Sequence, residues 1–454
     1  MPKPNLLSRA YWTAYLAWHV LGQARYPFRS AERIARDRDR RVRAMVAYAY
    51  RWVPHYTEAL DRLGLAPADF RTFDDLQRLP LISSADLQAH PERFRSGQFA
   101  PDELRELRSS GSTGRPHVVG HTLSAIYQSV AHGERETSIH RRLIGKGRRL
   151  RALGLSSPHG AGSLRPLTRA NAFWPAWANM WRRSQEARAQ VDDAPEAILA
   201  AIDRRRPDIV YGYGSVLSRV AMHAHRHGLD FYRPRIIRFA ADPLWPRARE
   251  LFTAVYGIEV FSAYQSIEAF KIGFECEAHS GYHVNADLYP VRISDEDGRA
   301  CPPGVVGDVV VSNLLNRGTV LLNYAIGDRA AWADAPCPCG RHLPLMSQLE
   351  GRDMDGVYRL DGSWATLAII GPPLTRDPRI WQFQVVQHAL DHLTVAVVLA
   401  PGASAADVER DLRTALQAVL GSAVRVDVRP VEELRRTGAG KLRHVIQELP
   451  PQGA

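Results

Sequence analysis

Apolar positions along the chain fall into three textures. Up to about Gly64 they recur at helical spacing, with Ile34, Val42, Met45 and Val46 on one side of a helix that Ser30 can cap. A Pro- and Asp-rich connection leads into RLPLISSADLQAH, where Ser84 is expected to cap a short helix beginning at Ala85. From Arg105 onward, short apolar runs alternate with amphipathic ones. RLRALGL, DIVYGYG, PRIIRFA and IEVFSAY read as strands; APEAILAAIDRRRP, SVLSRVAMHAHRHG and PLWPRARELFTAVYG read as the helices between them. Strand and helix in alternation with short connections imply a sheet covered by helices. GDVVVSNLLNRGTVLLNYAIGDRA is richer in strands alone. After about Glu350, HLTVAVVLAP and AVRVDVRPV are strands around the helix SAADVERDLRTALQAVLG, which has a Ser cap and a Gly stop. The fold class is therefore α/β. A large N-terminal domain, residues 1–350, holds packed mixed sheets flanked by helices, with a helical region over 1–64. A small C-terminal α/β domain, 351–454, is joined by a hinge near EGRDMDG.

Composition changes this picture little. A 454-residue chain that is 45% hydrophobic has ample material for a large core, and 24% charge is too little for disorder. The net charge of +11 would suit a nucleic-acid partner. Yet Lys occurs only at Lys3, Lys146, Lys271 and Lys441, so the excess is a chain-wide preference for Arg rather than a patch. The Arg runs at Arg36–Arg43 and Arg204–Arg206 lie in helical segments and read as solvated faces. With no recognition motif beside them, nucleic acid is not an expected partner. Four Cys do not make a disulfide framework. MPKPNLLSRAYW has no signal-peptide pattern, and the apolar stretch Tyr11–Leu21 contains His19 and is too short to span a bilayer. That stretch is expected to pack on the body of the protein rather than lie on a membrane. The expected location is the cytoplasm, and the default assembly is a homodimer.

Chemistry concentrates in a few motifs. Ser109-Ser110-Gly111-Ser112-Thr113-Gly114-Arg115-Pro116 sets four hydroxyls and two glycines in six residues. Glycine lets backbone N–H groups approach an anion, and the hydroxyls donate to phosphate oxygens. No Gly-Lys-Ser/Thr follows, so this is not a Walker A loop. Thr437-Gly438-Ala439-Gly440-Lys441-Leu442 again places glycines around one cation. A compact ammonium can reach both a carboxylate and a phosphate where a planar guanidinium fits differently. Between these motifs lie Tyr264-Gln265-Ser266-Ile267-Glu268, Tyr324-Ala325-Ile326-Gly327-Asp328 and Gly351-Arg352. A carboxylate at a strand end suits Mg²⁺ or a ribose hydroxyl.

In this order, from about residue 70 to about 450, the pieces resemble the adenylate-forming superfamily of acyl-CoA synthetases, adenylation domains and luciferases. More narrowly they look like its phenylacetate–CoA ligase branch with the capsule-biosynthesis relatives; RPDIVYGYGSVLSRVA, GRACPPGVVGDVVVSNL and WQFQVVQ fit that branch. The resemblance implies an ATP-dependent, AMP-forming acid–CoA ligase acting on an aromatic or medium-sized carboxylic acid. Ser109, Ser110, Gly111, Ser112, Thr113 and Gly114 would wrap the ATP phosphates. Tyr264 would stack on adenine, Glu268 would hold Mg²⁺, and Asp328 with Arg352 would bind ribose. Lys441 would bridge the attacking carboxylate and the α-phosphate. Ala240, Asp242, Tyr211 and Tyr213 fall near the adenine and acyl pockets by the same resemblance.

There are departures from the family pattern. Gln265 replaces a Gly and Ile267 a hydroxyl residue, so Ser266 is the remaining candidate phosphate donor there. Ala240-Ala241-Asp242 stands where the family has Gly-Ala-Glu, Ala325 replaces an Arg, and Asp353 or Asp355 would be the hinge pivot. These changes bear on the acyl acceptor more than on adenylation, and leave open an amine, a carrier-protein thiol or a sugar hydroxyl in place of CoA.

Cys276 with His279 and His283, and Cys337-Pro338-Cys339 further on, could supply three thiols and an imidazole to a closed zinc site. The resemblance, in which some members carry such a cluster, favours His283 over His279. Cys301 is left over. The aromatic run Asn171–Trp177 with Trp181 is either acyl-pocket lining or a helix contact.

Overall fold

The computed structural model describes residues 5–109, 117–145, 150–156, 185–191, 193–347, 349, 356–436 and 442–449. The N-terminal region is helical as expected: α1 (Leu6–Val20), α2 (Ala31–Trp52) and α3 (Pro54–Leu63). Ser30 Oγ accepts from the Arg33 N–H to start α2. Pro54 opens α3 where a missing N–H costs nothing, and Gly64, at φ 64°, closes it in the left-handed region. α4 (Ser84–Ala89) begins one residue earlier than expected. Its cap is Ser83, not Ser84, because Asp86 N donates to Ser83 Oγ while the Asp86 carboxylate accepts from Ser83 N, closing a reciprocal box. α5 (Leu123–His132) and α6 (Glu134–Ile144) follow. α1 packs on α5, with Trp12 stacked on Tyr127 at 4.7 Å, while Leu7, Tyr11 and Trp18 face outward. No helix among the described residues is long and apolar enough to cross a membrane.

A hairpin of β1 (Arg105–Arg108) and β2 (Val118–His121) precedes the main sheet. That sheet contains β3 (Arg151–Ser156), β4 (Gln185–Gln190), β5 (Ile209–Gly212), β6 (Ile236–Ala240), β7 (Glu259–Ser266), β8 (Phe270–Glu275) and β9 (Tyr282–Val284). Next in sequence, β10 (Val291–Ser294), β11 (Gly307–Val311) and β12 (Tyr324–Ala330) form a separate antiparallel sheet. The short β13 (Leu345–Met346) completes the main sheet, whose order is β13-β9-β8-β7-β6-β5-β3-β4. The strands from β4 to β7 are parallel, and β8, β9 and β13 continue antiparallel. α7 (Pro195–Arg205) and α8 (Gly214–Arg226) are the crossovers, burying Ile198, Leu199, Ile202, Val216, Leu217 and Val220. The next helix is not uniform. α9 (Pro246–Glu250) widens into a π turn over Leu251–Val255, with Tyr256 N donating to Leu251 O, which leaves Leu251 and Phe252 buried and Val255 exposed. Under the three-stranded sheet, Val309, Val311 and Leu321 meet Val42, Met45, Val46 and Leu60 of the N-terminal helices.

The C-terminal part has its own sheet. β14 (Gly356–Tyr358) and β15 (Trp364–Thr366) form a hairpin. β16 (Ile380–Ala389), β17 (His392–Leu399), β18 (Arg425–Pro430) and β19 (Val445–Gln447) stand in the order β18-β17-β16-β19. α10 (Ala405–Leu420), capped by Ser404 and ended by Gly421, lays Val408, Leu412, Leu416 and Leu420 on that sheet at four-residue intervals. Each such side chain contributes about 2 kcal/mol of burial. The core here is continuous with that around β5 and β6: Trp245 sits edge-on to Phe383 and to His444. The expected hinge segment, 350–355, lies outside the described residues.

Candidate active site

Ser110 to Gly114 lie outside the described residues, but both flanks of their loop are held. β1 and β2 pair to Arg108↔Val118, and the ladder is extended by Ser109 N donating to His117 O at 2.9 Å. His117 N in turn donates to Ser109 Oγ at 2.9 Å. The His117 ring then bridges two expected site residues. Its Nδ1 is 3.3 Å from Ser109 Oγ and its Nε2 is 2.6 Å from Glu268 Oε1. Glu268 stands in the tight turn between β7 and β8, made possible by a register shift at Tyr264/Gln265 and by Phe270 at φ 49°. Asn313 Nδ2 donates to Glu268 O, and His121 Nε2 lies 2.8 Å from Ile267 O. Burial by itself would raise the Glu268 carboxyl, but the hydrogen bond and charge of His117 outweigh it and hold the group below the usual carboxylate range. His121 is pushed down to about 4 by burial, so it stays neutral. Ser266 Oγ accepts from Ala269 N at 3.1 Å and so braces the same turn, while Gln265 is half-buried beside it.

On β7 just before this turn, Tyr264 Oη donates to Asp328 Oδ2 of β12 at 2.8 Å, and both residues are buried. The expected adenine-stacking ring and ribose-binding carboxylate are thus neighbours joined by a hydrogen bond. Ala240 ends β6 in register with Ala263 of β7, and Ala241 turns the chain at φ 76°. Asp242 then accepts from Ser215 N and Ser215 Oγ at the start of α8. Arg436 reaches the same Ser215 hydroxyl at 3.1 Å and pairs with Leu442, the residue after Lys441. The ends of the Lys441 loop are therefore docked against the segment that carries Asp242. Lys441 itself, Arg352 and the aromatic run Asn171–Trp181 lie outside the described residues. Tyr211 packs where a Cβ on Gly154 would clash at 2.6 Å, so that glycine makes room for its ring.

His117 is the site residue that the motif reading passed over. Its signal was present, a titratable side chain directly after Gly-Arg-Pro, but its partner lies 151 positions away. Only the β1–β2 ladder and the β7–β8 turn bring the two together.

A second cluster forms at the far end of β8. The ligand atoms of Cys276, His283, Cys337 and Cys339 all lie within 4.8 Å of one another. Cys276 Sγ is 3.5 Å from Cys337 Sγ, and Cys339 Sγ is 3.2 Å from His283 Nε2. A tetrahedron with metal–sulfur bonds near 2.3 Å has edges of about 3.8 Å, so these spacings fit a soft divalent cation. All four cysteines are unbridged. Burial pushes the Cys276 thiol up to about 12, whereas the Cys339 thiol, which burial would raise, is held below its usual value by hydrogen bonds from Arg341. His279 is outside this cluster. It turns to Glu275 and Glu259 at 3.3 and 3.4 Å. Cys301 is apart from it, next to Gly307.

Comparison with known proteins places the whole chain rather than its single residues. Residues 373–448 match the CapK C-terminal domain. A phenylacetate–coenzyme A ligase of Thermus thermophilus is 28% identical over 71% of this chain and 71% of its own length. One from Aromatoleum evansii is 25% identical over 91% of this chain and 94% of its own. Among solved structures, 2-hydroxyisobutyryl-CoA ligase bound to its acyl-adenylate superposes with a TM-score of 0.70, at 20% identity, over 90% of this chain and 88% of that one. The chain is therefore similar in sequence to phenylacetate–CoA ligases over most of its length, and it shares its fold with 2-hydroxyisobutyryl-CoA ligase.

Proposed function

We propose that the protein activates a carboxylic acid with ATP as an acyl-adenylate, releasing pyrophosphate, and then transfers the acyl group to the thiol of coenzyme A. The observation that carries this reading is the meeting of Ser109, His117 and Glu268 at the hydroxyl–glycine loop, with Tyr264–Asp328 beside them. In the first step a carboxylate oxygen bonds to the α-phosphorus as the bond to pyrophosphate breaks. In the second, the thiol sulfur attacks the acyl carbon and AMP leaves. Neither step needs a protein nucleophile, so positioning and charge neutralisation supply the rate.

The residues suit these tasks. Ser109 and the hydroxyls and glycines up to Gly114 would hold the phosphates, with His117 tying Ser109 to the β7–β8 turn. Asp328, oriented by Tyr264, takes the ribose, assisted by Arg352. Lys441 supplies the charge between carboxylate and α-phosphate. Glu268 fits a Mg²⁺ ligand, being a hard oxygen donor kept ionised; the ion would neutralise charge on the polyphosphate. Cys276, His283, Cys337 and Cys339 fit structural zinc, a closed S₃N set that clips the end of β8 to the 337–339 loop and leaves no open position for chemistry. An aromatic or medium-sized acid, a cytoplasmic location and a homodimer complete the reading.

The test is pyrophosphate release from ATP and Mg²⁺ across a panel of aryl and alkyl acids, with and without CoA. Release that needs an acid and rises with CoA is the expected result. Acid-dependent release indifferent to CoA would redirect the second step to another acceptor, which the Gln265 and Ile267 departures favour. No release with any acid would overturn adenylation.

A further inference from the structure

A basic pocket of about 190 Å³ lies between the α1–α2 connection, α2 and the α5–α6 junction. Five guanidiniums line it, those of Arg29, Arg33, Arg40, Arg41 and Arg135, against two carboxylates, Asp37 and Asp287. The excess is three positive charges. Arg135 is fully committed. It is buried, forms a two-point ion pair with Asp287, bonds Asn285 and Gln23, and lies 4.2 Å from the Tyr26 ring centroid. It is a wall of the pocket. Arg29, Arg33 and Arg40 share the single carboxylate of Asp37, which the Tyr26 hydroxyl also contacts. Three cations around one buried anion leave most of their donors unused.

Two further groups are unmatched. Arg41 Nε is buried with no hydrogen-bond partner among the described residues. So is Nδ1 of His132, a side chain only 3% exposed that lines the same pocket. A buried polar atom without a partner costs free energy comparable to a lost hydrogen bond, and a ligand oxygen placed against it would recover that cost. Burial, with Arg135 and Arg41 close by, keeps His132 neutral, so it can donate from Nδ1 without adding charge.

From this geometry we infer a binding site for a phosphate group carrying at least two negative charges, held by Arg41 and His132 at its floor and by Arg33 and Arg40 at its mouth. The charge excess selects a multiply charged anion over a carboxylate, and guanidiniums match phosphate oxygens in pairs. The volume accommodates a phosphate or a diphosphate. Two sources share this chemistry, free pyrophosphate or phosphate and the 3′-phosphate of a coenzyme A. The inference does not depend on the adenylation site, since none of these residues belongs to it.

Calorimetric titration of the full-length protein with inorganic phosphate, pyrophosphate, CoA and 3′-dephospho-CoA tests the site, using wild type, Arg41→Gln and Arg33→Gln. Arg41→Gln leaves the Asp37 cluster intact, and Arg33 is half-exposed, so both variants are expected to melt like wild type. At least one phosphate ligand should lose about tenfold in affinity in Arg41→Gln and about threefold in Arg33→Gln. Pyrophosphate sensitive to Arg41 with CoA insensitive assigns the pocket to the free anion; CoA sensitive with dephospho-CoA insensitive assigns it to the 3′-phosphate. No phosphate binding in wild type, or equal affinities in all three proteins, would overturn the inference.

Discussion

Two buried polar clusters stand at the two ends of one strand, β8. Before it, Glu268 is already paired with His117, and Tyr264 with Asp328, so each charge has a partner inside the protein. After it, three thiols and an imidazole converge with no opposite charge among them. The first cluster is stable as it stands and can exchange an internal partner for a ligand. The second gathers a soft donor set that a cation would complete, because thiolates are good metal ligands. Proximity on the chain does not make two clusters alike; one pairs its charges internally and the other gathers soft donors.

The sharpest way to break this contrast is at the sulfur end. Cys276→Ser or Cys337→Ser should abolish bound zinc in metal analysis and cost about 4 kcal/mol or more of stability in denaturant melts. Retained metal with an unchanged melt would make that end ordinary core. At the nucleotide end, Lys441→Ala should lower acid-dependent pyrophosphate release about 10²–10³-fold with little change in melting, the loss expected when one charge-stabilising donor is removed.

Acid comes next, acting through buried histidines rather than through either cluster alone. Unfolded imidazoles take up a proton near 6.5, whereas His121 and His140 do so in the fold only near 4. Between those values the unfolded chain binds more protons, so the stability they contribute is present above about pH 6.5 and is lost as pH falls toward 4. It amounts to on the order of 3 kcal/mol each. Melting followed over that range should show the loss, and His121→Gln should reduce its slope. A smaller effect is expected from His117→Ala, which should raise KM for ATP·Mg²⁺ about tenfold with kcat changed less, while His117→Gln, keeping a donor, recovers most of it. The smallest comes from Arg436→Ala. Losing its bond to Ser215 should slow adenylation about fivefold, from about 1 kcal/mol, without changing zinc content.

Much of this was legible before any coordinates. Apart from β4, which no run predicted, the alternating runs from Arg151 to Ser266 became the parallel strands and crossover helices in the order read, because apolar periodicity reports which face is buried. Ser30 and Ser404 cap the helices assigned to them. Ser84 does not, since two consecutive serines offer the same hydroxyl and only Asp86, reaching back to Ser83, selects between them. The π turn after α9 was invisible because its residues suit an α-helix equally well.

Residue types and their order determined the chemistry proposed for both clusters: hydroxyls with glycines for phosphate, carboxylates for a hard cation, thiols for a soft one. Partner choice was decided by tertiary structure. His283 rather than His279 joins the cysteines because β9 turns it inward while Glu275 and Glu259 take up His279. His117 meets Glu268 through a contact spanning 151 positions, while Nδ1 of His132 and Nε of Arg41 find no hydrogen-bond partner among the described residues. Local sequence carries the periodicity and ligand preference of each side chain, but a pairing between distant positions exists only where strand register and helix packing close the space between them.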